Sequence, residues 1–266
     1  MTKILGILNI TADSFSDGGR YLAPGAAIFH AQAMAQSGAD IIDIGAASSH
    51  PDAEAVAPDV EIARLASVVP ELKAKGLSLS IDSFSLPVQR WALAQDVDYL
   101  NDIHGFPDAA LYPELTKSSA RLIVMHMVQP RGVAVRTPVP SSEIFDRVTA
   151  FFDVRIKVLT DAGIARDRLI LDPGMGQFLG TDPENSWIIL RRLPELKARY
   201  DLPLLVSLSR KGFLRKLAGR PPLEAGAASL AAELFAEAQG ATHIRTHVPG
   251  ALKDGLKVLK NIGKPY

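Results

Sequence analysis

Short apolar runs alternate with longer stretches of helical periodicity along the whole chain. Runs rich in aliphatic and β-branched residues and bounded by turn residues predict strands, whereas apolar spacings of three and four residues predict amphipathic helices. The predicted strands span residues 4–9, 40–45, 77–82, 97–102, 121–126, 169–174, 202–209 and 242–247. Strands that alternate with helices indicate a parallel sheet covered by helices.

Proline and glycine mark the ends of several predicted helices. The clearest helical stretches span residues 24–37, 59–75, 145–162 and 183–200. Pro24 opens the first of them, and Gly38 and Gly76 follow the ends of the first two. Helices favour proline in their first turn and glycine just after their last turn, so these positions support the predicted boundaries.

The number of repeats indicates the fold. Eight strand–helix repeats within 266 residues suit an α/β TIM (β/α)8 barrel, whose usual length is about 250 residues. We therefore predict a single domain that spans residues 1–266. An open, doubly wound sheet is the alternative, because it is built from the same repeating units.

Every predicted strand finishes in polar or charged residues. These are Asn9, Asp43, Asp82, Asn101 with Asp102, His126, Asp172, Ser207 with Ser209, and Arg245 with His247. One such residue at a strand end is commonly a cap or a turn residue. In a barrel, however, all eight carboxyl ends converge on the face where these enzymes place their chemistry. The pattern therefore predicts an active-site face.

Two loops on that face are unusual in length or composition. Segment 7–19, ILNITADSFSDGG, changes from apolar to polar at Asn9 and holds one large aromatic residue, Phe15. Segment 128–142 is the longest predicted loop. Long loops in compact domains are commonly functional, so we expect this one to be a mobile loop of the active site.

Charge and composition exclude several classes of partner. Basic and acidic residues are equal in number, 29 each, and no basic run with interleaved aromatic residues indicates nucleic-acid binding. No apolar run approaches the roughly 20 residues of a membrane helix. The absence of cysteine excludes disulfides and thiolate metal sites. With no signal-peptide pattern at the start, we expect a cytoplasmic protein.

The predicted face combines an acidic part with a basic part. Carboxylates buried in a barrel mouth require donors, and a flat heterocycle with paired N–H groups supplies them. The basic part consists of Arg210 and Lys211 after the seventh strand and Arg245 at the eighth, where this fold commonly binds phosphate. The pattern therefore favours a polar aromatic ligand that carries phosphate.

Seven motifs identify a resemblance to a known family. In order and spacing, GILNITADSFSDGG, SIDSF, YLNDIHGF, VMHM, LDPGMG, SLSRKGFL and IRTH resemble the signatures of the dihydropteroate synthases over essentially the whole chain. The resemblance implies a TIM barrel, commonly a homodimer. It also implies the condensation of 6-hydroxymethyl-7,8-dihydropterin diphosphate with 4-aminobenzoate, which yields 7,8-dihydropteroate and pyrophosphate for folate synthesis.

The resemblance also implies roles for individual residues. It gives a pterin pocket formed by Asp82, Asn101, Asp172 and Lys211. It implies that Asn9 helps to bind Mg²⁺ and diphosphate and that Arg245 and His247 bind anions. The implied catalytic residues are Asp82, Lys211, Arg245 and His247. The implied substrate-binding set is Asn9, Phe15, Asp43, Ser49, His50, Asp82, Asn101, Asp172, Met175, Phe178, Lys211, Gly212, Arg245 and His247.

The chain departs from the family pattern at three places. His50 stands where the family usually has arginine, and Gly212 stands where it usually has serine. The motifs are most similar to the branch that includes mobile, sulfonamide-insensitive synthases, yet Gln177 replaces the first of two aromatic residues of that branch. A flexible glutamine makes a poor steric wall against a larger arylamine, so we expect sulfonamides to inhibit this enzyme.

Two alternative functions use the same fold. A pterin-binding corrinoid methyltransferase domain shares the barrel and the acidic pocket but does not need a cluster of diphosphate-binding cations. A catalytically inactive pterin-binding barrel would be expected to lose Asn9, Lys211 or Arg245, and all three are present. Both observations favour the synthase.

Overall fold

Eight parallel strands form the centre of the computed structural model, which describes residues 2–11, 23–50, 53–129 and 132–263. The strands are β1 (Lys3–Asn9), β2 (Ile41–Gly45), β3 (Leu79–Asp82), β4 (Tyr99–Asp102), β5 (Arg121–Met125), β6 (Leu169–Asp172), β7 (Leu205–Ser207) and β8 (His243–Thr246). Each lies within a predicted strand or extends it by one residue. The predicted barrel architecture is confirmed.

The strands follow one another around the barrel in chain order. The hydrogen-bonded order is β6-β5-β4-β3-β2-β1-β8-β7. A single bridge between Leu171 and Leu204 joins β6 to the start of β7, and the amide of Leu171 donates to the carbonyl of Pro203 at 2.9 Å. This narrow seam closes the sheet, which is incompatible with the open-sheet alternative.

Helices follow the strands and cover the outside of the barrel. They are α1 (Pro24–Ser37), α2 (Pro58–Ala66), α3 (Val69–Ala74), α4 (Leu86–Ala94), α5 (Tyr112–Lys117), α6 (Ile144–Asp161), α7 (Pro183–Arg191), α8 (Leu193–Tyr200), α9 (Gly212–Ala218), α10 (Gly226–Ala238) and α11 (Pro249–Ile262). Among the described residues, no helix has the length and apolar character required to cross a membrane.

Two predicted helices are each divided in two, so the prediction of single helices over 59–75 and 183–200 is wrong. Pro70 lies in the first turn of α3, and Pro194 lies in the first turn of α8. Proline lacks the N–H that would continue the preceding helix, and it disfavours the helical conformation of the residue before it. Each proline therefore starts a new helix.

Strand alternation directs the polar strand ends into the barrel. Leu5, Ile41, Ile123, Ile170 and Leu205 form one buried cluster with the half-buried Tyr99. Side chains two residues apart on a strand share a face. The same face therefore carries Asp43 after Ile41, Asn101 after Tyr99, Asp172 after Ile170 and Ser207 after Leu205. An apolar plug thus supports a polar layer at the carboxyl ends of the strands.

The described part of loop 128–142 is hydrogen-bonded to its neighbours. The Gln129 side chain donates to the carbonyl of Val135 at 2.7 Å and accepts from its amide at 2.8 Å. The amide of Ala134 donates to the carbonyl of Ser49, and the carbonyl of Thr137 accepts from Thr181. These bonds place the loop beside the loops that follow β2 and β6.

Candidate active site

A cavity of about 230 Å³ opens at the carboxyl ends of β1, β2, β3, β7 and β8. Of the residues predicted for the site, it is lined by Asn9, Ser49, His50, Asp82, Met175, Phe178, Lys211, Gly212, Arg245 and His247. Asp43, Asn101 and Asp172 do not line it and are buried. Phe15 lies outside the described residues.

Arg245 holds two carboxylates at the floor of the cavity. Its Nε donates to Asp43 Oδ2 at 2.5 Å, and its Nη2 donates to Asp82 Oδ2 at 2.8 Å. Asp43 is fully buried, whereas Asp82 and Arg245 keep 23% and 16% of their side-chain surface exposed. The arginine thereby joins β8 to β2 and β3, and only Asp82 of the two acids faces the cavity.

Burial raises the pKa of two acids of the polar layer, Asp82 and Asp172. It raises the pKa of Asp82 above its ordinary value, and Asp43 adds to this effect while Arg245 opposes it. Burial also raises the pKa of Asp172 to about 6, against the hydrogen bond from the amide of Gly174 and the charge of Lys211. Both carboxyls therefore hold a proton more tightly than an exposed aspartate does.

Lys211 forms one side of the cavity with Phe178. The Nζ atom lies 4.8 Å from the centroid of the Phe178 ring, a cation–π arrangement. Phe178 itself packs against Ile103, Met125 and Met127. Burial and the charge of Arg245 lower the pKa of Lys211 to about 8, while Asp172 and Asp82 act in the opposite direction.

His247 and Ser209 join the loops after β8 and β7. The Ser209 hydroxyl accepts from the backbone amide of His247 at 3.2 Å and lies 2.9 Å from the imidazole Nδ1. The hydroxyl thus bridges the backbone and the imidazole of His247. Burial, together with Arg210, Arg245 and Lys211, lowers the pKa of His247 well below its ordinary value.

Three buried polar oxygens of the site have no hydrogen-bond partner among the described residues. They are Asp43 Oδ1 and Asn101 Oδ1, on the polar layer of the barrel, and Thr11 Oγ1, which lines the cavity beside Asn9. Buried polar groups in folded proteins are nearly always hydrogen-bonded. These oxygens are therefore candidates for contact with a ligand.

Asp102 and His126 lie at strand ends and have structural roles. The sequence motifs assign neither of them to a substrate. Asp102 accepts from the Gln89 side chain and from the amides of His104 and Phe106, so it holds the turn that follows β4. His126 Nδ1 lies 3.1 Å from the carbonyl of Pro173, and burial lowers the pKa of His126 to about 4. Neither residue lines the cavity.

Sequence analysis missed contributions from the helices behind β7 and β8. Ser229 and Glu233 lie one turn apart on α10 and are buried. Ser229 Oγ accepts from the amide of Arg210 at 2.9 Å, and the Glu233 carboxyl hydrogen-bonds to Thr246. Arg215 of α9 lines the cavity. The four-residue spacing of Ser229 and Glu233 is common to amphipathic helices, so the sequence pattern does not mark them as functional.

Comparisons with known proteins agree with this geometry. The family model described as pterin binding enzyme matches residues 5–247. The chain is 59% identical over 256 residues to the dihydropteroate synthase type-2 of Escherichia coli, covering 96% of this chain and 94% of that protein. It is 46% identical to the type-3 synthase of Escherichia coli, covering 99% and 100%.

Solved structures give the same result. A Yersinia pestis dihydropteroate synthase in complex with a sulfonamide drug superposes with a TM-score of 0.90 at 32% identity, covering 98% of this chain and 93% of that one. A Xanthomonas albilineans dihydropteroate synthase with 4-aminobenzoic acid superposes with a TM-score of 0.88 at 34% identity, with 98% and 93% coverage.

The chain therefore belongs to the family of pterin-binding enzymes. Its activity is that of a dihydropteroate synthase: it condenses 6-hydroxymethyl-7,8-dihydropterin diphosphate with 4-aminobenzoate to give 7,8-dihydropteroate and pyrophosphate in folate biosynthesis. The resemblance found in the sequence motifs is confirmed. These relatives are dihydropteroate synthases rather than corrinoid methyltransferases or inactive pterin-binding barrels.

Proposed function

We propose that the cavity binds the two substrates end to end. The dihydropterin lies toward the acidic floor of the barrel, the diphosphate lies beside the loops after β1, β7 and β8, and 4-aminobenzoate lies toward the mouth. The observation that carries this arrangement is the separation of charge, with carboxylates in the barrel and cations on the loops after β7 and β8. The neighbouring structure with 4-aminobenzoic acid shows that a relative binds the second substrate.

The pterin ring would contact the polar layer of the barrel. Asp172 is an acceptor for the N–H edge of the ring, and the unpartnered Oδ1 of Asn101 is a second one. Both residues are buried and do not line the cavity, so the side chains above them, including Lys211, would move as the ring enters. Lys211 would then face the carbonyl edge of the pterin.

Diphosphate would bind where donors from three loops meet. Asn9 ends β1 and Thr11 follows it, Ser209 comes from the loop after β7, and His247 comes from the loop after β8. A neutral His247 that carries its proton on Nε2 would be a donor without a positive charge. An incoming anion raises the pKa of a neighbouring histidine, so the leaving diphosphate would favour a charged His247.

The same corner suits Mg²⁺ as a cofactor. Asn9 and Thr11 supply hard oxygen donors, and Thr11 Oγ1 has no other partner among the described residues. Mg²⁺ commonly uses one or two protein ligands together with substrate phosphates, which fits a region where no cluster of three acidic or histidine ligands is found among the described residues. When bound, Mg²⁺ would neutralise charge on the leaving group.

The residues of the floor would assist the departure of diphosphate. Loss of diphosphate from the methylene leaves positive charge on an electron-rich ring, which the Asp82 carboxylate would stabilise. Arg245 keeps Asp82 oriented through its 2.8 Å bond, and its remaining N–H groups would face the leaving oxygens. The arylamine is already neutral at physiological pH, so its attack requires orientation rather than a strong base.

Pyrophosphate release tests this proposal. The purified enzyme is mixed with both substrates, with each one alone, and with both in the presence of a chelator. We expect release only with both substrates, and we expect the chelator to abolish it until Mg²⁺ is restored. Equal rates with and without Mg²⁺ would contradict the metal site at Asn9.

We also propose that the enzyme is a cytoplasmic homodimer. Phe235 on α10 and Val258 and Ile262 on α11 are large apolar side chains that remain exposed at 43%, 55% and 71%, and the two helices pack against each other. Exposed apolar patches commonly mark protein interfaces. Light scattering on the purified enzyme tests this, and a monomer would contradict it. Cell fractionation tests the location.

A further inference from the structure

Arg215 is a cation of the cavity to which the proposed substrate arrangement assigns no role. It lies one turn after Lys211 on α9, and its side chain lines the cavity. Its Nε atom is buried and has no hydrogen-bond partner among the described residues. By contrast, Arg245 is held by Asp43 and Asp82, and Lys211 lies over the Phe178 ring. Arg215 therefore has hydrogen-bonding capacity for a ligand.

Gly212 leaves one side of Arg215 open. A Cβ atom added at position 212 would lie 3.8 Å from Arg215 Nη2, and both residues line the same cavity. The serine that is usual at this position in the family would add a Cβ and a hydroxyl there. Glycine keeps the guanidinium accessible to a molecule that enters through the mouth.

The described lining of the cavity provides no free counter-charge for Arg215. Among the described residues that line the cavity, Asp82 is the only carboxylate, and it is already bonded to Arg245. The two substrates provide two anionic groups, which are the diphosphate and the carboxylate of 4-aminobenzoate. The position of Arg215 distinguishes between them.

The position of Arg215 favours contact with the carboxylate of 4-aminobenzoate over contact with the diphosphate. The Arg215 guanidinium lies beside position 212, because its Nη2 is 3.8 Å from a Cβ atom built there, and Gly212 is exposed at the mouth of the cavity. The amine of 4-aminobenzoate must face the pterin methylene near Lys211. Its carboxylate then points outward, toward the mouth where Gly212 and Gln177 are exposed.

We propose that Arg215 binds the carboxylate of 4-aminobenzoate. A guanidinium can donate two parallel hydrogen bonds to a carboxylate, and Gly212 supplies the space for this contact. Arg215 is thus a specificity-determining residue for the arylamine substrate. The inference rests on the end-to-end arrangement of the substrates proposed above.

Steady-state kinetics with two arylamines tests the inference. The variants are Arg215→Ala and Arg215→Lys, and the matched control is Lys216→Ala, which changes the next cation of α9 but does not line the cavity. The substrates are 4-aminobenzoate and its neutral analogue 4-aminobenzamide. Thermal unfolding of each variant shows whether it is folded.

We expect Arg215→Ala to lower kcat/KM for 4-aminobenzoate about tenfold or more, through a higher KM, because a hydrogen bond to a charged group is lost. The kcat/KM for 4-aminobenzamide should change little, as should the KM for the pterin diphosphate. Arg215→Lys should recover part of the loss, and Lys216→Ala should behave as wild type.

Three results would overturn the inference. The first is an equal loss with both arylamines, which would indicate a structural role. The second is a selective rise in the KM for the pterin diphosphate, which would place the guanidinium on the phosphates. The third is an Arg215→Ala variant that resembles wild type. A wild-type enzyme that does not bind 4-aminobenzoate would contradict the proposed arrangement instead.

Discussion

Burial decides the charge of the residues around the cavity. The pKa of Asp172 rises to about 6 and that of Lys211 falls to about 8, in both cases chiefly because the charged form loses water. The two groups oppose each other's shift, since each charge stabilises the other. Near pH 7 both side chains are therefore charged, but the pKa of Asp172, about 6, and that of Lys211, about 8, both lie close to neutral pH.

Lys211 should set the alkaline limit of activity. Because its pKa is lowered to about 8, the ammonium is present below that pH and is lost above it. We expect kcat/KM for the pterin diphosphate to fall as the pH rises through this value. Lys211→Arg keeps a positive charge and should move the decline to higher pH. A pH profile that is identical for the two proteins would contradict this assignment, and so would a wild-type profile without an alkaline decline.

Gln177 and Phe178 are the two candidates for the residue that governs sulfonamide inhibition, and the structure distinguishes them by their surroundings. The sequence-based expectation of inhibition rests on Gln177, which lies exposed at the rim of the cavity. Phe178 lies deeper, under Lys211 and against Met125 and Met127, so its ring is the fixed wall. A wall that cannot move excludes a larger inhibitor, so Phe178 acts against the sulfonamide inhibition that the sequence predicts from Gln177.

We expect Phe178→Ala to lower the inhibition constant of sulfamethoxazole relative to the KM for 4-aminobenzoate. Gln177→Ala should produce a smaller change, because an exposed side chain can rotate away in the wild type. Competition kinetics on the three proteins measures both quantities. If only Gln177→Ala alters the ratio, position 177 is the wall after all.

Among the elements, α10 supports the loop that follows β7. Ser229 Oγ accepts from the amide of Arg210 and donates to the carbonyl of Ala225 at 2.8 Å. Arg210 has a φ of 59°, a left-handed conformation that costs about 1 kcal/mol or more for a non-glycine residue. One hydroxyl on a helix thus helps to hold the turn that precedes Lys211.

Ser229→Ala should therefore affect stability and catalysis together. Without the hydroxyl, the amide of Arg210 loses its acceptor, and we expect the free energy of unfolding to fall by about 1–3 kcal/mol. The kcat/KM should fall as well, because the turn that carries Lys211 is less well held. Urea unfolding and steady-state kinetics measure the two effects.

Ser67→Ala is the matched control for this prediction. Ser67 also donates to a helical carbonyl, that of Arg64 at 2.7 Å, but it is exposed and far along the chain from the cavity residues of β7 and β8. We expect this variant to lose little stability and no activity. Indistinguishable behaviour of the two variants would show that Ser229 does not position the loop.

At the scale of the whole molecule, a buried acid on α10 links folding to pH. Glu233 is almost fully buried, and desolvation raises its pKa from 4.5 to about 8, with the hydrogen bond to Thr246 acting in the opposite direction. The folded protein thus binds this proton more tightly than the unfolded chain does. Its contribution to stability is present below pH 4.5 and is lost as the pH rises to about 8.

Glu233→Gln should remove this dependence, since the amide does not titrate. We expect the free energy of unfolding of the variant, relative to wild type, to increase with pH across the window from 4.5 to about 8. Each unit of difference in pKa corresponds to about 1.4 kcal/mol. Urea unfolding at several pH values measures both curves, and parallel curves would contradict the buried, neutral Glu233.

Local patterns in the chain are enough to predict the architecture and the location of the site. Apolar runs with turn residues at their ends predict strands because strand formation depends on local pattern. Alternation of side chains, also a local property, predicts that polar strand ends such as Asp43, Asp82 and Asp172 share one interior face. The prolines at positions 70 and 194 were present in the sequence, and local rules for proline would have divided both helices.

Which polar residues bind each other, and which remain for ligands, depends on the folded arrangement of the strands and helices. Arg245 and Asp43 are separated by 202 positions in the chain, so no local pattern pairs them, and their pairing leaves Asp82 as the acid at the cavity. Ser229 and Glu233 contribute through the packing of α10 against β7, and Arg215 contributes from α9, which packs against α10. Helix packing brings together elements that are remote in sequence. Local sequence patterns therefore do not predict these contacts.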